Sequence, residues 1–433
     1  MKIRNEMDGE YKNIRILFLI SGVFVLFYIQ SMLHMEINRS GFMERRVEYL
    51  QKSLDNFAAL PTAANFDAHI SKFVYWVVSG HLLGVQDAPT VIYYTEIIWW
   101  SLALFIIPIL LYRLTEQKKL YLTIILPFIT TIFAYPFTHY VSDDKWVYAW
   151  VILIGLPMLM IIVRTNDFQK KRRWLLVLSL TCGIANSFRV WSGIACFIPA
   201  AFIVIKDTIY TWKREKKIHI IFLILFIMGQ VLFSQILVML IGAGYNFLYG
   251  GNINLLRFRN QQISPLFQLY IGMGWGEDSG VIYEDASALK VIAESSLSAN
   301  RALRKEIILT IKQNGSKTVL MYLKKAVRSV LMSGYYFTLP KYIYYIVGFI
   351  AQLSGWLFFS KKNKKNMFYI LQMERKVIII GIVCYLLSII PAIIDIPRES
   401  TIQGASAVLV VGIMYIGIRC IQEYEKFIGK KVK

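Results

Sequence analysis

The fold is decided by residues 120–163, which read LYLTIILPFITTIFAYPFTH, then YVSDDKW, then VYAWVILIGLPMLMIIV. The two apolar runs have about 20 and about 17 residues, and each is long enough to cross the hydrocarbon core of a bilayer. The loop between them carries Asp143 and Asp144. Paired carboxylates are costly to keep near hydrocarbon, so they are candidates for a functional site. The alternative is that these acids cap the N-terminus of the second helix. The stretch therefore predicts a membrane hairpin with an acidic loop.

Similar apolar runs recur along the whole chain, which has 433 residues, 56% of them hydrophobic. A soluble protein of this size has a more polar composition. The runs predict an all-α, polytopic membrane protein with about ten transmembrane helices. No small-residue cleavage site follows the first run, 16–33. We therefore expect a retained helix there and not a removed signal peptide.

The charge of the chain is strongly basic, with 48 Lys and Arg against 27 Asp and Glu and a formal net charge of +21. The excess basic residues cluster at the ends of the apolar runs, as the positive-inside rule and attraction to anionic headgroups predict. We therefore expect membrane lipids as partners, and no nucleic acid. The short basic loops fall on one side and two long loops on the other, which places both termini in the cytoplasm.

The pattern divides the chain into three parts. They are an N-terminal transmembrane catalytic module with helices 1 to 7 (1–242), a large outer loop (243–336) and C-terminal transmembrane helices 8 to 10 (337–433). Within them we predict helix 3 at 120–139, helix 7 at about 218–241, an amphipathic helix at about 286–330 and helices 8 to 10 at 342–359, 377–394 and 404–422. The apolar stretch 175–205 has about 31 residues, too many for one untilted span, and basic residues lie at both of its ends. It therefore predicts two short helices that turn on the outer side near Arg189.

The first outer loop, 34–90, is long and patterned. Apolar residues recur at helical spacing with charges between them in 43–60 and again in 69–85. Both segments are typical of juxtamembrane amphipathic helices that lie on the membrane surface. The alternative is a buried helix of a small outer domain.

This topology collects carboxylates and cations on the outer face. The candidate residues are Asp67, Asp143, Asp144, Glu277 and Asp278 among the acids, and Arg189, Lys324, Arg328 and Arg398 among the cations. A carboxylate can accept the proton of an attacking hydroxyl, and cations can hold a phosphate leaving group. Lys324 and Arg328 share one helix face, and their alternative role is ordinary membrane anchoring. The twin aspartates also suit Mg²⁺ or Mn²⁺, although nothing in the sequence requires a metal ion.

Several short motifs resemble those of the C-type (GT-C) membrane glycosyltransferases, in particular bacterial relatives of the protein O-mannosyltransferases, which use polyprenyl-phosphate sugars. The segment 66–69, Phe-Asp-Ala-His, resembles the first acidic motif of that family, and 142–144, Ser-Asp-Asp, resembles the second. The remaining similar segments are 183–189 (GIANSFR), 272–280 (GMGWGEDSG) followed by a helix that ends in Lys324-Lys325, and 397–399 (PRE).

The resemblance implies a hexosyltransferase of the cell envelope that works on the outer face of the bacterial plasma membrane. It would move one sugar, with inversion, from a polyprenyl-phosphate donor to a hydroxyl of a glycan or protein acceptor. Asp67 would be the general base, and Asp143 or Asp144 would orient the acceptor, the base or a divalent ion. The resemblance assigns the lipid phosphate to the four outer cations named above, and it places Glu277 and Asp278 in a substrate loop.

Three other functions are compatible with the sequence. A polymerase or ligase that uses lipid-pyrophosphate-linked glycans needs the same outer arginines and large outer loops. A transporter or flippase needs ionisable residues near the middle of the membrane. Glu96 is the main acid within a predicted span, and the scarcity of such residues counts against transport. The last alternative is a non-catalytic membrane scaffold.

Overall fold

The computed structural model describes most of the N-terminal half of the chain and part of the C-terminal half. The described residues are 14–23, 25–26, 28–30, 41–60, 70–115, 146–165, 167–189, 192–215, 219–250, 265–274, 285–331, 386–387 and 390–394. Almost all of them are helical and none of them is in a strand. The prediction of an all-α fold is therefore confirmed for these parts of the chain. Predicted helices 3, 8 and 10 lie outside them.

The helices fall into two groups along the chain. The first group is α1 (Ile14–Gln30), α2 (Gly41–Asp55), α3 (Ile70–Leu83), α4 (Ala88–Thr115), α5 (Trp146–Trp150), α6 (Leu156–Arg164), α7 (Phe168–Phe188), α8 (Ile194–Glu215) and α9 (Ile220–Tyr249). A 3₁₀ turn, Phe57–Ala59, follows α2, and a π-helical turn, Val151–Gly155, joins α5 to α6. The second group is α10 (Pro265–Met273), α11 (Asp285–Glu294), α12 (Ala299–Leu331) and the short α13 (Ile390–Ile394).

The apolar stretch 175–205 is split into two helices, as predicted, and the break lies at Arg189. The Asn186 side-chain oxygen accepts a hydrogen bond from the Gly193 N–H at 3.0 Å, and the Ser192 hydroxyl donates to the Arg189 carbonyl at 2.9 Å. These bonds satisfy backbone groups that the end of one helix and the start of the next leave open. α7 and α8 therefore form a helical hairpin.

The first half of the second helix predicted in the first outer loop is buried, and it packs against helices of the predicted transmembrane module. The sequence predicts a surface helix, with a small outer domain as the alternative. α3 packs against α2, α4, α7 and α9. Its side chains Ile70, Phe73 and Trp76 are fully buried. α2 keeps the expected amphipathic character, because Leu50 and Leu54 are buried while charged residues such as Glu48 and Lys52 are exposed.

α7 and α9 approach each other through small residues. A Cβ added to Gly183 would overlap the carbonyl oxygen of Gly229, and a Cβ on Gly229 would lie 2.6 Å from the Ser179 hydroxyl oxygen. The Ser179 hydroxyl in turn donates to the carbonyl of Phe226. Close backbone approach at glycine, supported by serine hydrogen bonds, is typical of helices that pack inside membranes.

α9 is longer than the sequence predicted, because it continues beyond Ile241 to Tyr249. The hydroxyl of Tyr245 donates to the Phe57 carbonyl at 2.7 Å, and this bond ties the end of α9 to the 3₁₀ turn after α2. Gly250 then ends the helix in the left-handed conformation, with φ of 61°, which glycine adopts without a Cβ clash. The extension therefore depends on a tertiary contact.

α4 and α9 contain the segments that come closest to a membrane span in length and composition within the described residues. Within the described residues, Ala88–Ile106 alone is long and apolar enough by itself to cross a bilayer. The segments Ile220–Gln230 and Phe233–Tyr249 pass the same test when taken together, and they meet at a bend of 52°.

The second group of helices surrounds a small apolar core of its own. α10, α11 and α12 pack around Phe267, Ile271, Ala288 and Leu303. The single amphipathic helix expected over 286–330 is two helices, because the polar segment 295–298 interrupts it. Within α12 the backbone leaves helical geometry again at Asn314, where φ is −125° and ψ is 30°.

Candidate functional site

An aromatic cluster joins four helices of the first helical group. We define it as Tyr75 of α3, Trp99 of α4, Trp146 at the start of α5 and Phe188 at the end of α7. Tyr75 stacks on Trp146 with ring centroids 4.5 Å apart, and Phe188 meets Trp146 edge-on at 5.2 Å. The Trp99 indole N–H donates to the Tyr75 hydroxyl at 2.7 Å. The cluster therefore holds the first outer loop segment, the start of α5 and the α7–α8 turn in one place.

The centre of this aromatic cluster has an unpaired polar group. Trp146 is only 1% exposed, and its indole N–H has no hydrogen-bond partner within the described part of the chain. A buried donor without an acceptor costs about 1–3 kcal/mol. The Trp146 ring has three aromatic neighbours, so its packing offsets this cost.

Arg189 lies beside the aromatic cluster. It follows Phe188 directly, and its backbone N–H closes the last turn of α7 on the Ala185 carbonyl. Its guanidinium carbon is 5.5 Å from the ring centroid of Tyr148, which is a cation–π distance. The α7–α8 turn thus places a permanent positive charge against the first turn of α5.

The structure describes only some of the residues predicted for the site. Arg189 is placed as above, Lys324 is exposed on α12, and Arg328 lies near the end of the same helix. The predicted residues that lie outside the described ranges are Asp67, Asp143, Asp144, Glu277, Asp278 and Arg398. Arg189 lies in the first helical group, and Lys324 and Arg328 lie on α12 in the second.

Lys325 is a residue that the sequence reasoning assigned no role. Its ammonium is fully buried and donates to the Gly272 carbonyl at 2.5 Å, and it lies 5.1 Å from the ring centroid of Tyr322. Burial raises the pKa of Tyr322 to about 12. Lys325 therefore ties α12 to the residue at which the glycine-rich segment 272–280 begins. No sequence signal marked Lys325, because the more apolar face of this half-helix, with Leu320 and Leu323, is the opposite one.

Two further charged side chains are buried in the first helical group. Glu96 is fully buried, and its carboxylate accepts a hydrogen bond from the Trp100 indole N–H at 3.1 Å. Lys72 is 1% exposed, with its ammonium 5.4 Å from the ring centroid of Trp76. Charged groups kept inside apolar helices are functional candidates by default. Glu96 was identified from the sequence as an acid within a predicted span, whereas no sequence pattern singled out Lys72.

The described residues contain no group of three or more His, Cys, Asp or Glu side chains that could hold a metal ion. The twin aspartates considered as Mg²⁺ or Mn²⁺ ligands lie outside those residues. Metal binding at that loop stays a prediction.

Comparisons with protein-family models, with curated proteins and with solved structures found no match to this chain. Its function therefore has to be inferred from the residues and contacts described above.

Proposed function

We propose that this chain is a polytopic membrane glycosyltransferase that moves one sugar from a polyprenyl-phosphate donor to a hydroxyl acceptor on the outer face of a bacterial plasma membrane. The observation that carries the proposal is the aromatic cluster. It holds together the three segments that lead into Asp67, the twin aspartates and Arg189, and each of these was a candidate for the chemistry on sequence grounds.

The covalent chain limits how far the two acidic motifs can lie from the aromatic cluster. Asp144 precedes Trp146 by two residues, and two residues of extended chain reach about 7 Å. Asp67 precedes Ile70, the first residue of α3, by three residues, which reach about 11 Å. Tyr75, the cluster residue of α3, lies five residues farther on, which adds about 7.5 Å along the helix. These limits allow both acidic motifs to approach the cluster, beside which Arg189 lies.

The proposed reaction is a single displacement at the anomeric carbon. Asp67 accepts the proton of the acceptor hydroxyl, and the hydroxyl oxygen bonds to the anomeric carbon from the face opposite the phosphate. The bond between that carbon and the phosphate oxygen breaks, and its electron pair leaves with the polyprenyl phosphate. Arg189 stabilises the charge on the departing phosphate. The proposal assigns the same role to Lys324, Arg328 and Arg398. The product has inverted configuration.

The membrane setting of the proposal has support in the first helical group. α4 contains a segment able to span a bilayer, and α9 exposes apolar side chains along most of its length. The glycine contact between α7 and α9 is of the kind that membrane helices use. The proposal retains about ten spans, cytoplasmic termini and the division into 1–242, 243–336 and 337–433.

The test is sugar transfer by purified, reconstituted full-length protein with a panel of polyprenyl-phosphate sugars and hydroxyl acceptors. Asp67→Asn keeps the size of the side chain and removes the base, so we expect the rate to fall by about 10²-fold or more. Asp87→Asn is the matched control. Asp87 is exposed and accepts from the Thr90 N–H at 3.0 Å as a helix cap, a role that asparagine fills equally well. Equal rates for the two variants would remove Asp67 from the mechanism.

Arg189 is tested by a pair of substitutions in the same assay. Arg189→Gln removes the positive charge, and we expect kcat/KM for the lipid donor to fall by about tenfold or more, as for a lost charged hydrogen bond of about 1.5–3 kcal/mol. Arg189→Lys keeps the charge and should recover part of this loss. Equal losses in both variants would mean that Arg189 serves only the turn between α7 and α8.

Transport is the second candidate function, and the buried Glu96 within the candidate span favours it. The same reconstituted vesicles separate the two functions. Movement of an intact lipid-linked sugar across the bilayer, lost in Glu96→Gln, would support a flippase, whereas release of sugar to an acceptor would support the transferase. The donor panel also includes pyrophosphate-linked oligosaccharides, and their exclusive use would identify a polymerase or ligase.

A further inference from the structure

The second half of α12 has one face packed against α10. Its buried side chains are Thr318, Met321 and Lys325, which recur at helical spacing, and the half-buried Tyr322 lies among them. Lys325 reaches the Gly272 carbonyl from this face. The orientation of the helix about its own axis is thereby set.

The opposite face of this half-helix is apolar and exposed. Its members are Val319, Leu320, Leu323 and Val327, each more than half exposed at 61%, 52%, 57% and 55%. We call these four residues the α12 stripe. At 3.6 residues per turn, Val319, Leu323 and Val327 succeed one another along one line, and Leu320 lies next to it. Four exposed branched aliphatic side chains in a row form a continuous apolar patch, and such patches mark interaction sites.

Basic side chains line one flank of the α12 stripe and the preceding half of the helix. Lys317 and Lys324 fall side by side on its flank by helical spacing, and both are exposed. The other exposed basic residues of α12 are Arg301, Arg304, Lys305 and Lys312. Glu306 is the one acidic residue between Ala299 and Leu331. A partner that covers the stripe must therefore be apolar at its centre and negatively charged at its edge.

α9 shows by contrast what a helix inside the hydrocarbon looks like. It also exposes large apolar side chains, including Ile221, Leu240 and Phe247, but it has no charged residue over its whole length. α12 combines an apolar stripe with a basic flank, which is the pattern of a helix that lies in the membrane interface. The exposed basic residues of α12 are therefore evidence that α12 does not lie in the hydrocarbon layer as the uncharged α9 can.

We propose that the α12 stripe docks on the surface of a bilayer, with Lys317 and Lys324 bound to the headgroups of anionic phospholipids. The occupant is chosen by charge complementarity, because anionic lipids present negative headgroups immediately above an apolar layer. The packing of the opposite face on α10 leaves the stripe free to enter that layer. This proposal does not depend on sugar transfer, and it survives if the catalytic proposal fails.

The experiment uses full-length protein in nanodiscs of phosphatidylcholine with phosphatidylglycerol, spin-labelled at Leu320→Cys or Leu323→Cys. We expect these labels to be relaxed more by oxygen, which enters lipid, than by a water-soluble nickel chelate. A label at Lys317→Cys, on the flank, should show the reverse ratio. Cys384 and Cys420 are first replaced by serine, and Cys182 and Cys196 are buried. The protein without an added cysteine, taken through the same labelling, gives the background.

A second arm tests the anionic lipid. Lys317→Gln with Lys324→Gln should raise nickel access to the Leu320→Cys label severalfold, and so should nanodiscs of phosphatidylcholine alone. If stripe labels are open to the nickel chelate in the anionic nanodiscs, the docking proposal is wrong. It is also wrong if they are shielded from both reagents, because protein would then cover the stripe. Equal depth in all lipids and variants would refute the role of anionic headgroups.

Discussion

The contact between α7 and α9 and the contact between α10 and α12 use opposite means to bring helices together. In the first, Gly183 and Gly229 remove side chains so that the two backbones touch, and Ser179 supplies a hydrogen bond to the Phe226 carbonyl. In the second, a long cationic side chain, Lys325, crosses the interface to the Gly272 carbonyl. The first contact depends on steric fit between two backbones. The second depends on the hydrogen bond that the buried Lys325 ammonium donates.

This difference has a consequence for the kind of change that each contact tolerates. Backbone contact at glycine cannot accept even one added carbon, because the opposing carbonyl has no rotamer with which to move away. A buried ammonium can accept changes of shape nearby, but its removal leaves a carbonyl without a donor. The experiments that follow compare the two contacts, beginning with the largest expected effect.

Gly183→Ala should be the most damaging single change, at about 3 kcal/mol of the free energy of unfolding, because the new Cβ overlaps the Gly229 carbonyl. Gly244→Ala is the matched control, since nothing lies within 4 Å of a Cβ there and alanine favours the helix. The measurement is the thermal midpoint of the purified protein in one detergent. A Gly183→Ala midpoint at or above that of Gly244→Ala would refute close packing of α7 on α9.

Lys325→Met should cost about 1–2 kcal/mol, because it leaves the Gly272 carbonyl buried without its donor. Lys324→Met, one residue earlier and exposed, should change the same thermal midpoint very little. The neighbouring pair separates loss of a buried contact from loss of a positive charge. Equal shifts for the two variants would mean that charge alone matters in α12.

Ser179→Ala should have a smaller effect, about 1 kcal/mol, because it removes one neutral hydrogen bond and leaves the glycine contact intact. Its thermal midpoint should therefore lie between those of Gly244→Ala and Gly183→Ala. A loss as large as that of Gly183→Ala would show that the hydrogen bond, and not steric fit, governs this helix pair.

Tyr322→Phe should have the smallest effect at neutral pH, because the Tyr322 hydroxyl is buried without a partner within the described residues. At high pH the variant should differ from the unsubstituted protein. The unfolded chain loses the tyrosine proton near its ordinary pKa of 10, whereas burial raises the folded pKa to about 12. Folding therefore loses stability as the pH rises from about 10 to about 12, and the variant should lack this contribution. Parallel pH curves of the thermal midpoint would refute the burial of this hydroxyl.

Much of the helical layout could be predicted from apolar periodicity. The division at Arg189 followed from the length of one apolar run and from the basic residues at both of its ends. The burial of α3 did not follow, because a helix with charges among apolar residues has the same pattern on a membrane surface and in a protein core. The extension of α9 to Tyr249 could not be predicted either, since it depends on a hydrogen bond to Phe57, far away in the chain.

The candidate site shows the same division. Spacing and charge singled out Arg189, and the structure added its ring partner Tyr148. No local pattern could have shown that Trp99 and Trp146 meet Tyr75, or that Lys325 points inwards while Lys324 points outwards. Adjacent lysines are equivalent in a sequence, and only the packed face of the helix distinguishes them.

The sequence by itself determined that the described parts of this chain are helical and roughly where several helices lie, such as α3, α4 and the break at Arg189, because apolar run length acts locally. The tertiary structure alone decided which charged side chains are buried, namely Lys72, Glu96 and Lys325. For Lys325 the physical reason is that the cost of burying its charge is met by the Gly272 carbonyl, which lies far away in the chain. Such a partner exists only once the helices have packed. Lys72 and Glu96 have ring partners four residues away, but the packing of neighbouring helices decides that their side chains are buried.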